Sequence, residues 1–298
     1  CENIEIGDDR IAVTDLEEQM DRLFQKSNYE SVEEYNVDYT HAKIMKEIPE
    51  DITGGYLLER EFEDRYKLEY WENPSGFVTD NNEHFFIKSP KYCAVEQVEY
   101  LKAYMNEAEE AILSSDSICK ATGKSYEDYI DVDSFVKKYL VEEITKNYDG
   151  GVSSMYFYKD SDSVDARIKA APMWDADMSL GCYLEWMEEI AEDPTGLTKL
   201  TLHPSASPWY EALYEKEDYY QKILKYYHLY AVPYLDELVE SGLEAYKEGM
   251  SASAAMNDIR WHIDLDNNMY YEDRDTEYEQ LEKYITDRKT FLDSVWIK

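Results

Sequence analysis

Two long stretches of the chain repeat apolar residues with the spacing of an amphipathic helix. In the first, residues 95–113, the apolar face consists of Val98, Leu101, Met105, Ala108 and Ile112. In the second, residues 131–147, it consists of Phe135, Val136, Tyr139, Leu140 and Ile144. Because positions three and four apart share one side of an α-helix, the pattern predicts two helices that each bury one face. We expect Asp133 to cap the second one.

Helical patterns also occur at both ends of the chain. Thr14 and Glu17 form a capping box, and an apolar stripe follows it at Leu16, Met20, Leu23 and Phe24. From Ser207 onward the chain is predicted to be almost wholly helical, and the last helix is predicted to begin at about Thr276. The predicted breaks or caps in this region are Pro233, Gly242 and Gly249.

Short runs of β-branched and aromatic residues predict strands between these helices. The predicted strands cover residues 56–62, 85–88, 154–159 and 166–170, and residues 1–13 are predicted to form a short strand and a turn. The polar segment 160–163 is expected to join the last two as a hairpin, and residues 73–76 carry a turn signal. With no repeat and no linker, the 298 residues predict one domain, 1–298, of the α+β class and mostly helical.

The net charge of the chain limits the kinds of molecule that it can bind. The chain has 66 acidic and 30 basic residues, which gives a net charge of −36. Such a surface repels phosphate backbones and anionic lipids, so we expect no nucleic-acid binding. No apolar run has the length of a membrane span. A basic partner, or simple solubility in salty surroundings, fits this charge better, and solvated acidic helix faces account for most of it.

The four cysteines do not form a recognisable metal or disulfide framework. Cys1, Cys93, Cys119 and Cys182 include no CxxC pair, and no histidines cluster near them. A structural zinc site is therefore not expected, and the disulfide status stays open. Cys1 fits the lipid-modified first residue of a mature lipoprotein, and it fits equally well an arbitrary start of the chain.

Acidic residues flank the predicted hairpin. The second helix runs into 147–151, which contains Asp149, and the hairpin is followed by 172–177, which contains Asp175 and Asp177. A helix end, a hairpin and an acidic loop place Asp149 and Asp175 at one cleft. Phosphoryl transfer needs this chemistry, because one carboxylate orients the attacking hydroxyl and another holds Mg²⁺ against the phosphates. Spacing alone leaves the alternative that these aspartates are solvated or cap helices.

Several motifs together resemble the spore-coat protein H (CotH) kinase-like family. The matching segments are 1–5, 54–59, 87–92, 129–135, 142–150, 154–159 and 172–177. They cover most of the chain to about Gly181, and the likeness continues loosely through the terminal helices. The resemblance implies a protein-kinase-like C-terminal lobe with small β-hairpins.

The resemblance also implies roles for individual residues. Asp149 matches the catalytic aspartate, Asp175 matches the magnesium-binding aspartate, and Asp177 assists it. Asn147 and Ser154 fall at positions that contact the cofactor. The implied reaction is ATP- and Mg²⁺-dependent phosphoryl transfer to Ser or Thr of a protein, in an extracellular, cell-surface or spore-coat setting of a bacterium. The implied partner is a protein substrate or a coat or surface protein.

Two departures from the family pattern favour a second interpretation. Kinase catalytic loops carry a metal-binding Asn five residues after the aspartate, and Ser154 stands there. Cys1 matches the middle of the family domain, so the N-terminal lobe that grips ATP is expected to be missing and the isolated chain to be inactive. The alternative is a non-catalytic coat or surface protein on a kinase-like scaffold. A carbohydrate-associated module is a third reading, which only the aromatic residues suggest.

Two other features are set aside. Residues 264–268 begin like a calcium loop, but Met269 stands where the sharp turn needs glycine, and Asp275 replaces the bidentate Glu. The histidines without an evident partner are interpreted as surface or core residues; they are His84, His203, His228 and His262.

Overall fold

A computed structural model describes residues 41–42, 48–70, 72–181, 193–261 and 274–297. The predicted strand 1–13, the helix that follows the capping box at Thr14, Cys1, Cys182 and the loop 264–268 lie outside the described residues. The described part is α+β, as predicted.

The strands form one antiparallel sheet. Along the chain they are β1 (His41–Ala42), β2 (Tyr56–Glu61), β3 (Ser75–Val78), β4 (His84–Ser89), β5 (Met155–Lys159) and β6 (Ile168–Ala170). Their order in the sheet is β1-β3-β4-β2-β5-β6. β5 and β6 pair as the predicted hairpin, with Phe157 opposite Ala170. β2 therefore lies centrally, between β4 and β5.

The described residues form nine helices around this sheet, and most of them lie on one side of it. They are α1 (Glu63–Glu69), α2 (Val95–Leu113), α3 (Tyr126–Tyr129), α4 (Val132–Thr145), α5 (Trp209–Tyr214), α6 (Glu217–Tyr226), α7 (Val232–Glu237), α8 (Leu243–Trp261) and α9 (Arg274–Trp296). The two predicted amphipathic helices are thus confirmed as α2 and α4. Among the described residues, none of these helices combines the length and apolar composition needed to cross a membrane.

The main core lies between one face of the sheet and α2, α4 and the C-terminal helices. Strands alternate their side chains, so Leu58, Phe85 and Phe157 all point into this core and are fully buried. The apolar faces predicted for α2 and α4 pack there as well. Cys93 and Cys119 are buried in the same core as free thiols.

The second face of the sheet is polar at its centre. α1 covers part of it, with Tyr66 stacked on Phe86 at 4.1 Å between ring centroids. The alternation along β2 puts Glu59 and Glu61 on this face, and both are buried. Burying a carboxylate costs free energy of folding unless it is paired. Two buried glutamates on this face therefore indicate a functional role for it.

The start of α4 corrects one prediction. Asp131, not Asp133, caps the helix, since its Oδ1 accepts a hydrogen bond from the Ser134 amide at 2.8 Å. Asp133 lies inside the first turn and pairs with Lys222 at 2.8 Å. An acidic residue in the first turn suits the helix dipole in either case, which is why the sequence did not separate the two.

The turn predicted at residues 73–76 is wrong for the last two of these residues. Ser75 and Gly76 begin β3, where Gly76 pairs with His41 of β1 and Phe86 of β4. Pairing on both sides supplies the backbone with partners that a turn would lack, and it overrides the local preference of these residues.

The predicted breaks at Pro233 and Gly242 are wrong. α6, α7 and α8 form one continuous helical run, joined by π-helical segments at Tyr227–Ala231 and Leu238–Gly242. Pro233 stands in the first turn of α7, directly after the first of these segments. Proline is tolerated at such a position because the preceding π-helical segment is locally widened. The widening leaves room for the proline ring and accommodates the hydrogen bond that its missing N–H cannot form. Gly249 lies inside α8 without interrupting it.

Candidate functional site

Asp149 lies in a tight turn, residues 147–153, that follows α4. The helix ends with Lys146 in the left-handed conformation, at φ 51°, which directs the chain back along the helix. Asn147 then accepts a hydrogen bond at Oδ1 from the Asp149 amide, at 3.3 Å. Its Nδ2 donates to Glu142 Oε2 at 2.8 Å. The buried Asn147 side chain therefore orients the Asp149 backbone relative to α4.

A buried ion pair supports this turn from inside α4. Lys138 Nζ lies 2.9 Å from Glu142 Oε1, and both side chains are at most 2% exposed. Glu142 uses its other oxygen for Asn147, so both of its oxygens are satisfied. Lys138 Nζ also lies 3.9 Å from the sulfur of Met173. One buried pair thus contacts both segments that carry the predicted site aspartates.

Backbone hydrogen bonds join the acidic loop, residues 172–181, to the end of α4. The amide of Tyr148 donates to Met178 O at 2.9 Å, and the amide of Leu180 donates to Thr145 O at 2.8 Å. Asp177 and Asp149 adjoin the residues of the first bond, so the fold brings them together. Asp175 and Asp177 are exposed, and Asp175 has a left-handed backbone, at φ 57°.

The electrostatics of Asp149 define a cluster of charged residues around it. Burial raises its pKa, and the neighbouring carboxylates of Asp177 and Asp175 raise it further, whereas His203 and Arg65 oppose the rise. We call these five residues (Asp149, Asp175, Asp177, Arg65 and His203) the Asp149 cluster. That Asp149 and Asp175 share one cleft stays a prediction; the charge of Asp175 is among the influences that raise the pKa of Asp149.

His203 belongs to this cluster, although the sequence analysis set it aside. Its ring packs edge-on against Tyr148, with 5.5 Å between centroids, and lies 5.7 Å from Phe62. Its Nδ1 accepts from the Ser205 amide at 2.9 Å, which leaves Nε2 as the protonated nitrogen of the neutral ring. Burial lowers its pKa, an effect that Asp149 opposes and Arg60 reinforces.

Arg60 ties the two loops of the cluster to the sheet. It is buried at the end of β2, and its Nε lies 2.7 Å from Glu83 Oε2. Its two terminal nitrogens donate to Val152 O and to Ser205 O, the latter at 3.0 Å. The guanidinium therefore joins the Asp149 turn to the loop that carries His203.

Glu59 and Lys88 form an ion pair on the polar face of the sheet, with 2.7 Å between Oε2 and Nζ. The Tyr156 hydroxyl donates to the other oxygen of Glu59. Trp174, the residue before Asp175, packs edge-on against Tyr156 with 5.9 Å between ring centroids. These contacts connect a lysine–glutamate pair to the acidic loop. Sequence reasoning did not select this pair.

Glu61 follows Glu59 on the same face of β2 and lies beside Arg65, a member of the Asp149 cluster. Its carboxyl group is 1% exposed, and burial raises its pKa to about 8, against the attraction of Arg65. Arg65 Nε is 3.7 Å from Glu61 Oε1. Oε2 has no hydrogen-bond partner among the described residues. Burial therefore favours the protonated form of this carboxyl group.

Ser154 stands immediately before β5 and is largely buried, with a left-handed backbone at φ 53°. Glycine is required nearby, at Gly151, because a Cβ there would lie 1.8 Å from Leu200 O. The assignments of Ser154 and Asn147 as cofactor contacts stay predictions, and Asn147 additionally has the orienting contacts described above.

The described residues include no group of three or more His, Cys, Asp or Glu side chains arranged to hold a metal ion. Mg²⁺ differs from zinc in this respect, because it is usually bound through one or two carboxylates together with water and substrate phosphates. The exposed carboxylates of Asp175 and Asp177 fit that mode.

The comparison with protein families gives one finding. A family model described as CotH kinase protein matches residues 16–292, which is nearly the whole chain. Comparison with curated proteins and with solved structures gave no match.

Proposed function

The chain belongs to the CotH kinase protein family, and from that premise we propose that the Asp149 cluster transfers the γ-phosphate of ATP to a Ser or Thr hydroxyl of a protein. One observation supports the proposal: backbone hydrogen bonds join the turn that carries the partly buried Asp149 to the acidic loop that carries the exposed Asp175 and Asp177. Phosphoryl transfer needs both kinds of carboxylate.

Asp149 is proposed to orient the acceptor. In the reaction the hydroxyl oxygen forms a bond to the γ-phosphorus, the bond from that phosphorus to the bridging oxygen breaks, and ADP leaves. The hydroxyl proton passes to Asp149 and from there to solvent. The raised pKa of Asp149 supports this role, because it makes the carboxylate a better hydrogen-bond acceptor and base.

Asp175 and Asp177 are proposed to hold Mg²⁺, which when bound neutralises charge on the phosphates. Their exposure leaves room for phosphate oxygens and water in the remaining coordination positions. The left-handed backbone at Asp175 supports a functional role, since such strain in a non-glycine residue concentrates at functional sites.

The Glu59–Lys88 ion pair is proposed to face the phosphates. Protein kinases use a strand lysine, paired with a glutamate, to contact the phosphates of ATP. Lys88 lies on β4 and has that partner at 2.7 Å. His203 is proposed to donate from Nε2 toward the transferring group, because its tautomer is fixed by the Ser205 amide.

A second candidate function is a non-catalytic scaffold that binds a coat or surface protein. The exposed apolar residues of α8 favour it, because that helix buries none of its residues. Tyr246, Met250, Met256, Ile259 and Trp261 are all at least 48% exposed. Family membership supports a bacterial surface or spore-coat setting for either candidate.

The test measures Mg·ATP binding and phosphate transfer by the full chain. Thermal unfolding with and without millimolar Mg·ATP reports binding, and transfer of labelled γ-phosphate to the chain or to an added Ser/Thr peptide reports catalysis. We expect Asp149→Ala to abolish transfer while the thermal shift remains, and Asp175→Asn to reduce both.

The matched control is Asp116→Ala, which removes an exposed aspartate from the loop after α2 and leaves the Asp149 cluster intact. Transfer that survives Asp149→Ala would refute the catalytic assignment. A wild-type chain without any Mg·ATP-dependent shift would instead support the scaffold.

A further inference from the structure

An apolar cavity of about 400 Å³ opens between α4, α7 and α9, and its lining includes none of the residues of the Asp149 cluster. Its walls are mainly aliphatic and include Leu140, Ile144, Leu180, Ala231, Leu235 and Ile285. This volume lies in the range of small-molecule sites, which are concave and mostly apolar.

The two π-helical segments border this cavity. Tyr230 and Ala231 belong to the first segment and Leu238 to the second, and all three line the cavity. A π-helical segment widens the helix locally and occurs frequently at functional sites. Residues of both widened segments line the cavity together with residues of α4.

The charge of the lining is opposite to that of the chain. Its charged residues among those described are Lys137, Arg288 and Lys289, all cationic, in a chain of net charge −36. Lys289 pairs with Asp236 and Asp293, and Arg288 pairs with Glu143. Within the described part of the chain, Lys137 Nζ lies 6.0 Å from the centroid of the Tyr226 ring, and no carboxylate forms an ion pair with it. The buried Nε of Arg288 has no hydrogen-bond partner there, although its terminal nitrogen pairs with Glu143. An anionic group at this cavity would give Lys137 an ion-pair partner.

We propose that the cavity binds a single-chain amphiphile with an anionic head, of the fatty-acid class. The alkyl chain lies against the aliphatic wall of Leu140, Ile144 and Ile285. The carboxylate lies at the mouth beside Lys137, an exposed residue. Apolar burial provides the affinity, and the lysine selects the sign of the head group.

The position of the cavity connects it to the acidic loop. Thr145 and Leu180 both line it, and the Leu180 amide donates to Thr145 O at 2.8 Å. This bond joins the acidic loop to α4, so an occupant contacts the segment that positions Asp175. This consequence rests on the proposed function, whereas binding itself does not.

The experiment titrates the full chain with dodecanoate and with dodecyltrimethylammonium by calorimetry. We expect saturable 1:1 binding of dodecanoate, with the cationic probe about tenfold weaker or more. Val141→Trp places a large ring on an exposed position that lines the cavity, and we expect it to abolish binding. Val164→Trp, at a position 75% exposed outside the cavity, is the matched control and should leave binding unchanged.

Lys137→Glu keeps the test decisive if Val141→Trp does not fold, since it changes only an exposed charge. We expect it to reverse the preference between the two probes. Absence of saturable dodecanoate binding, or binding that Val141→Trp leaves intact, would overturn the site. Equal affinity for both probes would overturn the anionic assignment. None of these outcomes depends on phosphate transfer, so failure here is distinguishable from failure of the proposed function.

Discussion

Gly151 lies two residues after Asp149, where the Asp149 turn passes directly against the loop that contains Leu200. A Cβ atom on Gly151 would lie 1.8 Å from Leu200 O and 2.9 Å from Leu200 C. Both atoms belong to the backbone, so no side-chain rotation relieves the contact. In Gly151→Ala the two segments must therefore separate by roughly 1 Å or more.

The loop that opposes Gly151 is held by buried hydrogen bonds, so part of the displacement falls on the Asp149 turn. The buried Glu143 carboxylate accepts from the amides of Thr198 and Lys199, each at 2.8 Å. Arg288 holds that carboxylate at 2.7 Å. Overpacking of this kind costs about 1–3 kcal/mol. A shift of about 1 Å at a catalytic group costs about a hundredfold in rate.

Urea unfolding at pH 7 measures the first effect, and phosphate transfer per folded molecule measures the second. We expect Gly151→Ala to lower the free energy of unfolding by about 1–3 kcal/mol and transfer by about a hundredfold. The matched control is Gly249→Ala in α8, where nothing lies within 4 Å of an added Cβ. That control should stabilise the chain by up to about 1 kcal/mol through helix propensity and leave transfer unchanged. Equal unfolding midpoints for Gly151→Ala and the wild type would refute the close contact.

Three further predictions concern buried charge. Lys138→Met leaves Glu142 buried without its cation and should lower the free energy of unfolding by about 3–5 kcal/mol. The double variant Lys138→Met with Glu142→Leu should recover part of that loss in the same urea assay, and equal losses in both variants would contradict the ion-pair explanation. The folded-state pKa of Glu61 is raised from 4.5 to about 8, so the carboxyl stabilises the fold fully only below the unfolded value and this contribution is lost as pH rises toward 8. Unfolding measured from pH 4.5 to 8 should therefore show a steeper loss of stability in the wild type than in Glu61→Gln, and parallel curves would refute the shift. Asp149→Asn should raise the thermal midpoint at pH 7, because it removes a carboxylate whose pKa is raised by burial and by like charges, and it should abolish phosphate transfer; an unchanged or lower midpoint would count against that account.

Local patterns in the sequence were sufficient for the elements that frame the site. The apolar periodicities of α2 and α4 are properties of neighbouring residues, and so is the turn between β5 and β6. The sequence therefore predicted that Asp149 and Asp175 would flank a hairpin. The same local reasoning failed where two neighbours offered equivalent chemistry, as with Asp131 and Asp133 at the start of α4. It also failed at Pro233, where a π-helical segment absorbs the missing donor and the helical run continues.

Short-range spacing along the chain was enough to identify the family, the α+β class and the two segments that carry the aspartates. The surroundings of those aspartates depend on tertiary contacts. His203 and Arg65 reach Asp149 from distant parts of the chain, and Lys88 reaches Glu59 across paired strands. Sheet register and hydrogen bonds between loops produce these contacts. No periodicity along the chain encodes them, since contacts of large sequence separation form only when the whole core packs.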